Sequence, residues 1–250
     1  MNKPFSVKEV LGEAWAVAKD NLWVLLGFSA VYFVVMLIST ILLNWIFGEA
    51  TPVMALLQNI LISVIDAFIF VAMYQVFFKI IDEDTNPDFP DFIPNLMKAF
   101  NFVLVKLIMG FAAVVVLALT AAFYFTNGEE IDTSDLLKWE ILPYLIVVAI
   151  PFIYFTVRFT FVLCFIVDQE SGATESMSQS WALTKGHFWF VLWLSVVMLA
   201  INFLGALALL VGLLFTIPFT SLIIIIAYRQ MVNNYTDGEM DMLEDKPSEN

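Results

Sequence analysis

Cysteine, histidine and basic residues are all scarce in this chain. Its 250 residues include one cysteine and one histidine, so they supply too few ligands for a disulfide within the chain, a zinc site or an iron–sulfur cluster. We therefore expect no metal and no cofactor. Lys and Arg together number 11 against 24 Asp and Glu. The net charge of −13 argues against nucleic acid as a partner, because nucleic-acid binding requires a basic surface.

Charged residues of both signs are also too few for a water-soluble fold. They make up 14% of the chain, and hydrophobic residues make up 61%, whereas soluble domains carry about 25% and about 45–50%. The long apolar runs lack the alternation of a transmembrane barrel. The sequence predicts an all-α, polytopic membrane protein with six transmembrane helices, near residues 22–47, 53–81, 99–126, 140–167, 188–214 and 217–235.

The lysines and arginines predict the orientation of these spans. If the N-terminus is cytoplasmic, Lys138 is the single basic residue of the 11 that falls on the outer side. Because cytoplasmic flanks of membrane proteins carry the excess of Lys and Arg, we expect both termini in the cytoplasm. The expected location is a bacterial cytoplasmic (inner) membrane.

One motif, W-A-x-x-K-x-x-x-W, occurs twice, and a weaker copy occurs between the two. Four residues make about one helical turn, so its Trp and Lys side chains share one helix face. Trp favours the membrane–water boundary, and Lys extends its stem to reach water. The predicted interfacial anchors are Trp15, Lys19 and Trp23, then Lys98 and Phe102 in the weaker copy, then Trp181, Lys185 and Trp189.

Each copy of the motif precedes a pair of spans. This predicts short cytoplasmic amphipathic helices before spans 1, 3 and 5, resting in the headgroup layer with their apolar sides toward the lipid. The units cover about residues 6–81, 91–167 and 172–235 of a single domain, 1–236, which an acidic tail predicted to be disordered follows at 237–250. Units of two crossings each predict a pseudo-threefold bundle. The alternative is a chance similarity, since Lys and aromatic residues are common at membrane boundaries.

Asp66 and Arg158 are the most informative charges, because both lie inside predicted spans. Their distances from the cytoplasmic span ends place them about 20 Å and about 14 Å deep, a difference that an arginine side chain can bridge. We predict an Asp66–Arg158 contact. It is interpreted as an ion pair that fixes helix register, with two alternatives: a site for an anionic headgroup or solute near Arg158, or a protonated, unpaired Asp66 in a water-lined cavity.

The last hundred residues carry a further pattern. It comprises Arg158, Val167, Asp168, Gly172, Glu175, Ser180, Trp181, Leu183, Thr184, Gly186, Trp189, Pro218, Tyr228, Arg229 and Gln230. This pattern resembles the bacterial integral-membrane domain that is sometimes fused to glycerophosphodiester phosphodiesterases, and its stand-alone relatives. The resemblance implies a six-span inner-membrane protein without an agreed activity. The phosphodiesterase chemistry belongs to a separate soluble domain, so the resemblance implies no catalytic residue here.

Three functions are compatible with the sequence. The one we favour is a non-enzymatic scaffold that engages membrane lipids, or a partner protein through its cytoplasmic helices or acidic tail. The main alternative is a small transporter or channel with Asp66 and Arg158 in its pathway. A lipid-modifying enzyme is third, because the sequence shows no nucleophile with a base and no paired catalytic carboxylates.

Overall fold

The computed structural model describes residues 6–48, 51–83, 87–126, 142–208 and 211–244, and the part of the chain that it describes contains helices and no strand. The α-helices are α1 (Val7–Asp20), α2 (Leu22–Phe47), α3 (Pro52–Glu83), α4 (Leu96–Thr126), α5 (Leu142–Arg158), α6 (Val162–Asp168), α7 (Ala173–Thr184), α8 (Phe188–Leu207) and α9 (Leu213–Glu244). A short 3-10 helix, Phe89–Phe92, precedes α4.

The prediction of six spans is confirmed. Six candidate spans are long and apolar enough to cross a membrane, and they correspond to α2, α3, α4, α5 with α6, α8 and α9. The shortest single-helix span is α8, whose 20 residues reach about 30 Å at about 1.5 Å per residue, the thickness of a hydrocarbon core. Because successive spans run in opposite directions, α1, the 3-10 helix and α7 share one end of the bundle, here called the proximal end.

Helix α9 forms the centre of the bundle. It packs against α1, α2, α3 and α8, and its side chains at Leu222, Ile223, Ala227 and Tyr228 are fully buried. The same core contains Phe77 of α3 and residues of α6. Lipid offers apolar helices no hydrophobic gain on association, so close packing of this kind is what holds the spans together. The core lies mainly in the proximal half, where α9 and α3 meet α6.

The fourth span differs from the prediction of one continuous helix over 140–167. It consists of α5 and α6, which are separated by a turn at residues 159–161. Ser180 of α7 closes this break: its hydroxyl donates to the Arg158 carbonyl oxygen at 2.8 Å and accepts from the Phe161 N–H at 3.3 Å. Periodicity could not reveal the break, because the bonds that compensate for it come from a helix distant in sequence.

Separate α-helices precede spans 1 and 5, namely α1 and α7, whereas among the described residues only the 3-10 helix Phe89–Phe92 precedes span 3. Lys98 and Phe102 instead belong to the first turns of the continuous helix α4. Helix α1 also packs differently from the expectation. Its Val10, Ala14 and Ala18 are buried in the protein core, and α1 lies against α9. The apolar side of α1 is therefore covered by protein, and the pseudo-threefold repeat stays a prediction.

The ends of spans five and six lie elsewhere than predicted. Helix α8 ends at Leu207 rather than near 214, and α9 begins at Leu213 and is described to Glu244, past the expected end at 235. The disorder predicted for residues 237–250 stays a prediction, and residues 245–250 lie outside the described part. The residue just before α9 lies close against α8, since a Cβ atom at Gly212 would lie 2.5 Å from the Gly205 carbonyl oxygen.

Candidate functional site

Asp66 lies in the middle of α3 and is paired with α2 and α4. The Tyr32 hydroxyl donates to Asp66 Oδ1 at 3.0 Å, and Lys106 Nζ forms an ion pair with Asp66 Oδ2. The ring of Phe102 lies 4.9 Å from Lys106 Nζ. A carboxylate at this depth is expensive unless it is neutralised, and Lys106 provides the counter-charge.

The structure does not pair Asp66 with Arg158, so the predicted contact is wrong. Arg158 lies at the end of α5, which packs against α4, α7 and α8, whereas α3 packs against α2, α4, α6 and α9. Arg158 lies beside Phe188, the first residue of α8, whereas Lys106 lies about 15 Å along α4 from its first residue. Depth estimated along a single span does not show which helices face each other around the bundle.

An apolar cavity adjoins Tyr32 between α2, α3 and α9. Ser29 and Tyr32 are its polar lining residues, and Phe28, Phe70 and Ile217 are among the apolar ones. Tyr32 therefore connects this space to the Asp66–Lys106 pair.

Arg158 occupies a cage of aromatic rings at the proximal end. Its guanidinium carbon lies 5.2 Å from the ring centroid of Tyr154, 5.0 Å from that of Trp181 and 5.7 Å from that of Phe188. The Nη1 group donates one long hydrogen bond, 3.3 Å, to Thr184 Oγ1. The Nε atom is buried and has no hydrogen-bond partner. The rings stabilise the cation through their quadrupoles, but they supply no negative charge.

The remaining predicted anchors divide into two groups. Trp23 and Trp189 are 85% and 76% exposed in the first turns of α2 and α8, and Lys19 and Lys185 are exposed as well. Such positions suit contact with the membrane boundary. The side chains of Trp15 and Trp181 are less exposed. Trp15 packs edge-on against Phe215 and Phe219, and Trp181 packs against Tyr154.

The weaker copy of the motif does not expose its lysine. Lys98 Nζ donates to the Val167 carbonyl oxygen at 2.8 Å and lies 3.2 Å from the Glu170 carboxylate. Phe102 packs against the core, and its ring centroid lies 4.9 Å from Lys106 Nζ. These two side chains therefore connect α4 to its protein neighbours.

Arg229 forms a polar network that the sequence analysis did not predict. Its Nε donates to Asp82 Oδ1 at 3.1 Å and its Nη1 to Asp168 Oδ2 at 3.0 Å. The Tyr228 hydroxyl donates to the same Asp168 oxygen at 2.7 Å. The network joins α3, α6 and α9. The sequence contained a signal for this network, because Asp82, Asp168 and Arg229 lie near the proximal ends of three predicted spans.

The described residues contain no group of three or more His, Cys, Asp or Glu side chains that could hold a metal ion.

Comparison with known proteins agrees with the pattern in the sequence. Residues 129–230 match the family model described as the membrane domain of glycerophosphoryl diester phosphodiesterase. The match includes α5 to α8 and most of the membrane part of α9, and with them Arg158 and Arg229. No curated protein and no solved structure matches the chain. Over this stretch, the chain is an integral membrane protein similar to the membrane domain of glycerophosphoryl diester phosphodiesterase.

Proposed function

We propose that this integral membrane protein is a non-enzymatic scaffold that engages membrane lipids or a partner protein. The observation that carries the proposal is the packed proximal half of the bundle. Helix α9 lies on the axis, and consecutive side chains from Ile225 to Tyr228 are buried against its neighbours. A transport pathway requires a hydrated route along such an axis, and dense packing opposes one.

The polar contacts of the proximal end support the same proposal. Arg229 ties α9 to α3 and α6, and Gln230 Nε2 donates to Glu13 Oε2 of α1 at 3.0 Å. Lys98 ties α4 to α6. Polar groups that are satisfied by one another fix a single arrangement of helices, as a scaffold requires.

Lipid engagement is supported by exposed apolar side chains beside the proximal ends of the spans. They include Trp23, Phe89, Leu96, Met97 and Trp189. The family description names an enzyme of glycerophosphoryl diesters, and phospholipids contain the same glycerol phosphodiester group. We propose further that the proximal end faces the cytoplasm of a bacterial inner membrane, as the distribution of basic residues indicates.

A second candidate function is a small transporter or channel. The specific observation in its favour is that the Asp66–Lys106 pair contacts Tyr32, which lines the cavity between α2, α3 and α9. An intramembrane carboxylate beside a cavity is the arrangement expected of a proton or ion pathway. In this version Lys106 replaces Arg158 as the partner of Asp66.

Flux in proteoliposomes discriminates between the two functions. Liposomes carrying the purified protein and an internal pH dye are given an inward proton gradient, with valinomycin and potassium to set the membrane potential. The scaffold proposal predicts that the pH gradient decays at the same rate in liposomes with wild type, with Asp66→Asn and without protein. Transport is favoured instead if the gradient decays faster with wild type and if Asp66→Asn, while folded, slows it to the rate of empty liposomes.

A further inference from the structure

The cations embedded in the proximal half are neutralised by the protein itself, with one exception. Four of them have side chains that are between 14% and 28% exposed, and each has a carboxylate partner. The pairs are Lys79 with Asp91, Lys98 with Glu170, Lys106 with Asp66, and Arg229 with Asp82 and Asp168. The fold therefore supplies a counter-charge wherever a cation is withdrawn from water, as the cost of desolvation requires.

Arg158 is the exception. It is partly buried, and among the described residues no carboxylate lies within salt-bridge distance of it. The Thr184 hydroxyl, its one hydrogen-bond acceptor, is also within 2.9 Å of the Ser180 carbonyl oxygen, to which it donates. A guanidinium has several N–H donors in one plane, so most of the binding capacity of Arg158 is unused, including its buried Nε.

The surroundings of Arg158 place this unused capacity at the membrane boundary. Phe188, whose ring faces the guanidinium, is the first residue of the span α8. The first N–H groups of a helix have no acceptor within it, and they favour negative charge. Trp181, which faces Arg158, and Phe155, which packs against Trp181, are 36% and 38% exposed on the outer surface of the bundle. A ligand that reaches Arg158 from the lipid would pass these rings.

We propose that Arg158 binds the phosphate of a phospholipid headgroup in the leaflet on the proximal side. A phosphate offers paired oxygens to a planar guanidinium, which makes strong, charge-assisted hydrogen bonds. It supplies the counter-charge that the protein gives to its other embedded cations. The glycerol backbone and acyl chains then lie along Trp181 and Phe155. This inference deepens the proposed function and rests on its lipid-binding form.

The test uses the full chain purified in neutral detergent and stripped of lipid. Native mass spectrometry measures the occupancy of added phosphatidylglycerol, and diacylglycerol serves as a ligand with the same chains and no phosphate. Arg158→Gln is expected to weaken phosphatidylglycerol binding about tenfold, equivalent to about 1.4 kcal/mol, because the charge-assisted hydrogen bonds to the phosphate are lost. Lys8→Gln, which removes an exposed cation of α1, is the matched control and is expected to change binding less than about twofold.

Two further measurements keep the test decisive. Wild type should unfold at a higher temperature with phosphatidylglycerol than with diacylglycerol, a result that needs no variant; equal temperatures would overturn the proposal even if Arg158→Gln failed to fold. Arg158→Lys keeps the charge without the planar fork, and we expect binding between that of wild type and Arg158→Gln. Unchanged phosphatidylglycerol binding in a folded Arg158→Gln variant would likewise refute the site.

Competition distinguishes a lipid from a free anion as the source of the phosphate. Inorganic phosphate and glycerol 3-phosphate at millimolar concentration should displace little phosphatidylglycerol, because they lack the acyl chains. Displacement at concentrations equal to that of the lipid would overturn the lipid assignment and identify Arg158 as a site for a soluble phosphate. Unchanged phosphatidylglycerol binding in Arg158→Gln, together with no proton flux in liposomes, refutes the Arg158 site but leaves the scaffold proposal, which would then depend on a protein partner.

Discussion

Arg158 and Arg229 occupy the same end of the bundle and contact aromatic rings at similar distances, yet their environments differ in one respect. The Arg229 guanidinium lies 4.8 Å from the Phe78 ring and between two carboxylates. The Arg158 guanidinium lies 5.0 Å from the Trp181 ring, with one hydroxyl as its partner. The difference shows that aromatic contact is common to both, whereas the counter-charge is what separates an arginine that joins helices from one that is available to a ligand.

The same comparison decides which side chain carries the greater part of the stability. Removing Arg229 leaves Asp82 and Asp168 facing each other without a cation, and unpaired embedded charges are costly. Removing Arg158 deprives no carboxylate among the described residues of its cation. We therefore expect the loss of Arg229 to lower the free energy of unfolding more than the loss of Arg158.

The largest expected effect is that of Arg229→Gln. We expect it to lower the free energy of unfolding by about 3 kcal/mol, because two carboxylates lose their common partner. Arg158→Gln is the matched substitution, and it should cost only about 1 kcal/mol, the size of a lost cation–π contact. Denaturant titration in detergent micelles, followed by circular dichroism, measures both. Equal losses for the two variants would contradict the distinction drawn between the arginines.

A smaller effect is expected at Ser180, which fixes the backbone of Arg158. Ser180→Ala removes one bond to the Arg158 carbonyl and one from the Phe161 N–H, so we expect a loss of about 2 kcal/mol together with weaker phosphatidylglycerol binding. Ser195→Ala is the control, because the Ser195 hydroxyl only donates to Val191 within its own helix. It should change stability by less than about 0.5 kcal/mol. A Ser180→Ala variant as stable as this control would show that the break in span four does not depend on α7.

The smallest expected effect concerns the partner of Asp66, which is Lys106 in the structure and not Arg158. A double-mutant cycle of Asp66→Asn with Lys106→Met should give a coupling free energy of about 1 kcal/mol, typical of polar contacts between membrane helices. The corresponding cycle of Asp66→Asn with Arg158→Gln should be additive within about 0.5 kcal/mol. Both cycles use the midpoint of unfolding in the same detergent. A larger coupling with Arg158 than with Lys106 would restore the pairing that depth alone suggested.

The sequence predicted those features that depend on runs of residues along the chain. Six spans follow from apolar length, and helices before spans 1 and 5 follow from the Trp–Lys motif. The resemblance to a known membrane domain rested on spaced residues of the last hundred and is confirmed over residues 129–230. Each of these is a property of a local stretch, so no knowledge of packing was needed.

The features that the sequence did not predict depend on which helix faces which. The order of helices around the bundle assigns Lys106 rather than Arg158 to Asp66. The break at residues 159–161 is stabilised by Ser180 from another helix. The apolar side of α1 could equally face lipid or protein from its pattern alone, and α9 covers it.

The contact of α1 with α9 has a consequence for synthesis. Helix α1 is synthesised before α9, so the surface of α9 that covers Val10, Ala14 and Ala18 is not present until α9 has been inserted. The five intervening spans therefore enter the bilayer before α1 can dock on α9. A nascent chain that stops before α9 leaves the apolar side of α1 without the helix that covers it.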